Sequence, residues 1–383
     1  MMASNQILAV RDYGQSIWMD NLTRDLIQSG ELRRMIEERD IRGITTNPAI
    51  FEKAISGSKL YDADIEAGIQ AQKSVEQIYE SLIFDDIRNA CDILQPLYEE
   101  SGGLDGYVSI EVRPTIADDT QATIEDAHRY YQEIGRANVM IKIPGTLSGF
   151  EAIERVIRDG INVNVTLLFS LKNYVDAAEA YLRGLEARVA KNQDISKIAS
   201  VASFFLSRID GRVDELLDEK LKTVGTDGAQ FSAQLSAVKG KVAIANAKLA
   251  YEKYQELVNS DRWQALKAKG ANVQRLLWAS TGTKDPTYSD VMYVDALIGA
   301  DTVNTLPPAT IEACADHCDV ADRLTTDLDK AHTLIENLKD PDIDINLDQV
   351  MEDVAKDGID KFIKPYQAIM QSLEGKVKQL ASV

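Results

Sequence analysis

The chain has 383 residues, 61 acidic against 42 basic, and a formal charge of -19. That excess of acid argues against nucleic acid or anionic membrane as the main partner, and an anionic small substrate would need a local basic pocket. No apolar run reaches the roughly 18 residues of a membrane span, and the opening MMASNQILAVRDYGQS lacks signal-peptide architecture, so a soluble cytoplasmic protein is expected.

Short strand-forming runs alternate with amphipathic helical stretches. In chain order the runs are SIWMD (16–20), GITTNP (43–48), YVSIEV (107–112), VMIKIP (139–144), INVNVTLLF (161–169), IASVASFF (198–205), QRLLWAS (274–280) and DTVNTLP (301–307). Between them the helical period is plain, as in FEAIERVIRDG, where Gly160 stands as a C-terminal cap. Eight β-then-α units predict a single-domain (β/α)8 TIM barrel rather than an open sheet. The connection from about 206 to 273 is too long for one helix and predicts a helical insert. Residues from about 310 to 383 predict a C-terminal helical extension.

Cys91, Cys314 and Cys318 are too few and scattered for a disulfide framework, and the Cys314/Cys318 spacing suits helix packing. His128, His317 and His332 form no metal-binding motif, so a catalytic zinc is not expected.

Side chains two apart on a strand share a face. In INVNVTLL this sets Asn162, Asn164 and Thr166 against Val163, Val165 and Leu167; in VSIEV it sets Ser109 and Glu111 against Val108, Ile110 and Val112. In VMIKI it sets Met140 and Lys142 against three aliphatics. The polar sets are expected to face inward, where such barrels normally carry branched apolar side chains, and to lie near the C-terminal strand ends that bear the active site. Asp20, Asn47, Glu111, Lys142, Thr166, Ser203 and Ser280 converge there. Any single Ser or Thr among them could be a satisfied core hydroxyl, and Asn47 before Pro48 could cap the following helix.

Lys142 asks for a task, because burying an unpaired charge costs several kcal/mol or so. Burial in an apolar cavity lowers an amine's pKa and leaves more of it neutral and nucleophilic toward carbonyls. Forming a Schiff base with a ketose, then cleaving a carbon–carbon bond, needs proton transfer at two places, and Glu111 and Asp20 are available. A buried Lys142–Glu111 ion pair is the competing reading.

GITTNPAIF (43–51) resembles the first transaldolase signature, and VMIKIPGTLSGFEAIERV (139–156) resembles the second, which contains the Schiff-base lysine. SIWMDN, VSIEV, NVNVTLLFS, SVASFFLSRID and LLWASTGTKDP follow in the family's order, and the length resembles the long bacterial type. The resemblance implies movement of a dihydroxyacetone unit between sugar phosphates, from sedoheptulose 7-phosphate or fructose 6-phosphate to glyceraldehyde 3-phosphate or erythrose 4-phosphate, with no metal or organic cofactor.

Residue by residue, it implies Lys142 as the Schiff-base lysine, Glu111 as the acid/base working through a water held by Thr166, and Asp20 as the base on the C4 hydroxyl. Asn47 and Asn164 match the amides that bind the dihydroxyacetone hydroxyls, and Ser203 a further polar contact. Arg208 matches the phosphate-binding arginine, whose planar fork suits the phosphate, and Ser280 a phosphate-contacting serine. The short form has an arginine two residues later, where this chain has Gly282; Lys284 or backbone amides of the STGT turn are inferred to take over that role. Fructose 6-phosphate aldolase shares the barrel and lysine but has Gln at the place of Glu111 and Tyr at that of Phe205. A non-catalytic barrel scaffold has no reason to keep an amine and two carboxylates inward. The oligomeric state stays open between monomer and homodimer.

Overall fold

A computed structural model describes residues 5–223 and 229–380. Eight parallel strands close into a barrel: β1 Gln15–Asp20, β2 Gly43–Thr45, β3 Tyr107–Glu111, β4 Val139–Pro144, β5 Val163–Leu168, β6 Ser200–Phe205, β7 Arg275–Ala279 and β8 Thr302–Leu306, with β8 pairing back onto β1. All eight predicted runs hold strands: β4 matches its run, β1 begins one residue earlier, and the other six are shortened. GITTNP stops at Thr45 because Asn47 leaves the strand to cap the helix Pro48–Ser56, accepting from the Ile50 N–H, with Pro48 in the first turn. QRLLWAS stops at Ala279 because Ser280 turns to φ +57.

β4 shows how one strand serves core and site together. Val139, Ile141 and Ile143 are fully buried on the core-facing side under the helices. Pro144 and Gly145 then turn the chain, with the Gly145 N–H donating to Thr166 O at 2.7 Å. A Cβ on Gly145 would lie 2.4 Å from Leu168 Cδ2, so any larger residue would have to push that buried side chain aside. The helix Leu147–Arg158 follows, capped by the Thr146 hydroxyl and closed by Gly160 at φ +96.

β5 departs from simple alternation twice. Asn162, expected on the inward face with Asn164 and Thr166, precedes the strand; its Nδ2 donates to Ala137 O and Val139 O, and its Oδ1 accepts from the Ala199 N–H, stapling the strand starts together. Beyond Val165 the register with β6 shifts through a bulge, and Leu167 takes φ +59. Leu167, expected with the core-facing aliphatics, lies instead against Gly358 of the last helix.

Residues 206–273 carry several helices, Ser207–Thr223, Ala229–Val238, Val242–Val258 and Asp261–Lys267. Asp210 anchors them, its carboxylate accepting from the Ala243 N–H and the Tyr293 hydroxyl, both at 2.8 Å. After β8 come Pro308–His317, Leu328–Asn337 and the long helix Leu347–Leu380. This last helix runs over the C-terminal mouth, with Tyr366 donating to Glu76 Oε1 at 3.2 Å and Lys376 reaching Asp62 at 2.9 Å. Cys91, Cys314 and Cys318 are buried free thiols. Among the described residues no helix is long and apolar enough to cross a membrane.

Candidate active site

A cavity of about 610 Å³ opens at the C-terminal ends of the strands. Eight of the ten sequence-predicted site residues line it: Asp20, Asn47, Lys142, Thr166, Ser203, Arg208, Ser280 and Lys284. Glu111 and Asn164 sit behind these, buried in the barrel wall. The register explains the grouping, since Glu111 pairs with Lys142 and Lys142 with Asn164 across β3, β4 and β5. Inward parity on neighbouring strands therefore stacks a carboxylate, an amine and an amide side by side.

Lys142 Nζ donates to Thr46 O at 2.8 Å and stands 3.6 Å from Glu111 Oε2, with the two side chains 6% and 3% exposed. The pair is charge-matched, but at 3.6 Å it is longer than a hydrogen bond. Neither Glu111 oxygen, nor Thr166 Oγ1, nor Arg208 Nη1 bonds another protein group, although all are buried. Buried polar atoms in that state are rare and point to a ligand or a proton-transfer role. Burial pushes the Glu111 carboxyl up to about 7 despite the opposing charge of Lys142.

Asp20 ends β1, partly buried, and accepts from Thr45 Oγ1 at 2.7 Å; Thr305 Oγ1 lies 2.7 Å from the same hydroxyl. Burial raises its pKa, opposed by Lys142, the Thr45 bond, Arg208 and Lys284. Ser203 Oγ donates to Asn164 Oδ1 at 2.7 Å, and Asn164 Nδ2 donates to Ser109 Oγ at 3.1 Å, so that amide is held in one orientation. Asn47 uses only Oδ1 for its helix cap.

Arg208, in the first turn of Ser207–Thr223, marks an electropositive side. Ser280 Oγ is 2.8 Å from Ser207 Oγ beside it, and Lys284 lines the same wall. Burial lowers the Arg208 pKa, against the field of Asp357. Several site features lie outside the sequence-predicted set. Thr45 and the Thr46 carbonyl orient Asp20 and Lys142, and the doubled threonine in GITTNP was their only sign. Lys53, Lys361 and Phe362 also line the cavity, and the last two come from a distant helix that periodicity does not connect to the barrel.

Residues 17–373 match the family described as Transaldolase/Fructose-6-phosphate aldolase. Transaldolase 2 of Nostoc punctiforme and the transaldolase of Trichodesmium erythraeum are each 65% identical over 382 residues, covering 100% of this chain and of their own. The transaldolase of Saccharopolyspora erythraea is 42% identical over 380 residues, 99% of this chain and 100% of its own. Likeness of this extent, in strand order and over both signatures, shows that the chain belongs to the transaldolase/fructose-6-phosphate aldolase family.

Proposed function

We propose that this enzyme reversibly transfers a dihydroxyacetone unit from sedoheptulose 7-phosphate to glyceraldehyde 3-phosphate, giving erythrose 4-phosphate and fructose 6-phosphate, through a Schiff base on Lys142. The observation that carries the reading is the buried amine beside a buried carboxylate that has no hydrogen-bond partner, whose pKa burial pushes up to about 7. Full-length relatives that are named transaldolases support it, as does the electropositive wall around Arg208.

The steps follow from the residues. The Lys142 amine, nucleophilic once it has given up its proton, adds to C2 of the ketose. A carboxyl that titrates near neutrality both gives and takes protons, so Glu111 serves the loss of water from the carbinolamine; at its distance from Nζ the transfer runs through a water bonded to Thr166 Oγ1. Asp20 removes the C4 hydroxyl proton, the C3–C4 bond breaks, and its electrons pass into the iminium to give an enamine. The aldose phosphate leaves, an acceptor aldehyde takes its place, and C3 attacks it while Asp20 returns the proton. Hydrolysis then frees Lys142. Asn47, Asn164 and Ser203 hold the hydroxyls of the three-carbon unit. Arg208, Ser280 and Lys284 hold the phosphate, which the net charge of the chain otherwise repels.

The same reading takes the chain as one barrel domain with helical additions, cytoplasmic, a monomer or homodimer acting on sugar phosphates. A coupled assay separates transfer from simple aldol cleavage. Glyceraldehyde 3-phosphate should form from fructose 6-phosphate only when erythrose 4-phosphate is supplied. Cleavage at a comparable rate without acceptor would make the enzyme an aldolase.

A further inference from the structure

The last helix places a ring where the reaction would occur. Phe362 is 5% exposed and lines the cavity, with its centroid 5.7 Å from Lys142 Nζ and 5.8 Å from Arg208 Cζ. Phe205 holds the same guanidinium at 5.2 Å. A ketose phosphate that reaches from the amine to the guanidinium therefore runs along the Phe362 ring. Glu111 does not line this cavity; it stands 3.6 Å from Lys142 Nζ, buried in the barrel wall.

The close approach of this helix is built into its sequence. Gly358 stands one turn before Phe362 on the same face. A Cβ there would lie 3.0 Å from Leu167 Cδ2 and 3.1 Å from Arg208 Nη1. Glycine inside a helix costs about 1 kcal/mol relative to alanine. Here its small size lets the helix sit on the arginine. The bulge that gives Leu167 φ +59 brings the barrel side of that contact up to meet it.

We propose that Phe362 is a specificity-determining residue, covering the three-carbon unit on Lys142 from the solvent side so that the enamine reacts with an aldehyde acceptor rather than with water. The proposal rests on the Schiff-base reading above. In the competing reaction, water gives a proton to C3 of the enamine and the resulting hydroxide adds to C2 of the iminium. The C2–N bond then breaks with proton transfer to nitrogen. The sum is one enamine and one water giving dihydroxyacetone and the free Lys142 amine, with no oxidant or reductant. The water that hydrolyses the finished product acts at C2 from the Glu111 side, so a ring over C3 blocks the side reaction and leaves normal turnover open.

The test compares two rates in the wild type, Phe362→Ala and Phe362→Leu: cleavage of fructose 6-phosphate without acceptor, and transfer to erythrose 4-phosphate. Borohydride trapping at Lys142 is measured in parallel. Phe362→Ala is expected to raise the ratio of acceptor-free cleavage to transfer about tenfold, with Phe362→Leu between it and the wild type. A residue that only packs the helix would lower both rates together, and an unchanged ratio with intact trapping overturns the proposal while the Schiff-base reading stands. Failure of the wild type itself to trap at Lys142 overturns both. Should Phe362→Ala not fold, the leucine variant is read by the same ratio.

Discussion

At the N-terminal end of the barrel, Asp105 is buried among donors: Arg275 Nη2 at 3.0 Å, Arg42 Nε at 2.7 Å and Ser16 Oγ at 2.9 Å. At the C-terminal end, Glu111 is just as deeply placed, yet its oxygens accept no hydrogen bond and its cation stands 3.6 Å away. Burial would raise both carboxyls. At Asp105 the charges and hydrogen bonds of Arg275 and Arg42 outweigh it and hold the group below its usual range, whereas Glu111 is pushed up to about 7. The contrast separates two uses of buried charge. A carboxylate with all its partners fixes structure and has little freedom to exchange protons. One left short of partners costs stability and stays poised to give and take them.

Asp105→Asn should have the largest effect on stability and little on chemistry. Breaking a buried, multiply bonded ion cluster costs about 3–5 kcal/mol, read as a lower denaturant midpoint. Because the folded pKa of Asp105 is depressed, its contribution is present above the unfolded carboxylate pKa. It is lost as pH falls through the folded value, so the gap between variant and wild type should close in acid. Kinetic constants per folded molecule should hold; a loss of turnover beyond the loss of folded enzyme would break the division between the two ends.

Glu111→Gln should act on chemistry. Removing the acid/base should slow Schiff-base formation on the order of a hundredfold, and the pH limb near 7 in the trapping rate should vanish. Phosphate affinity should change far less, and a near-normal trapping rate would contradict the assigned role. A second effect should appear in stability, with the opposite pH sign from Asp105. The folded pKa of Glu111 lies above its ordinary 4.5, at about 7. The wild type therefore loses stability as pH rises between those values, and Glu111→Gln should gain on it by roughly 3 kcal/mol over that range. A parallel pH dependence of the two proteins would remove Glu111 from the contrast.

Much of the site could be read from the chain because strand parity is a local property. The alternation in VSIEV and VMIKI places Glu111 and Lys142 on one face, and neighbouring parallel strands in register bring them together. Where the backbone leaves ideal geometry, that reasoning stops. Asn162 counts as inward by parity, but β5 begins one residue later and its amide staples three strand starts. Leu167 counts as core-facing, but the bulge turns it toward the last helix. Phe362 and Lys361 were out of reach for another reason: their helix is amphipathic like any other, and its position over the mouth follows from tertiary contacts such as Tyr366 with Glu76.

Covalent capture tests the central claim most directly. Borohydride reduction in the presence of fructose 6-phosphate, followed by peptide mass mapping, should leave a three-carbon adduct on the peptide carrying Lys142, and Lys142→Ala should leave none. An adduct on another lysine, or no adduct in an enzyme that still transfers, would contradict the account.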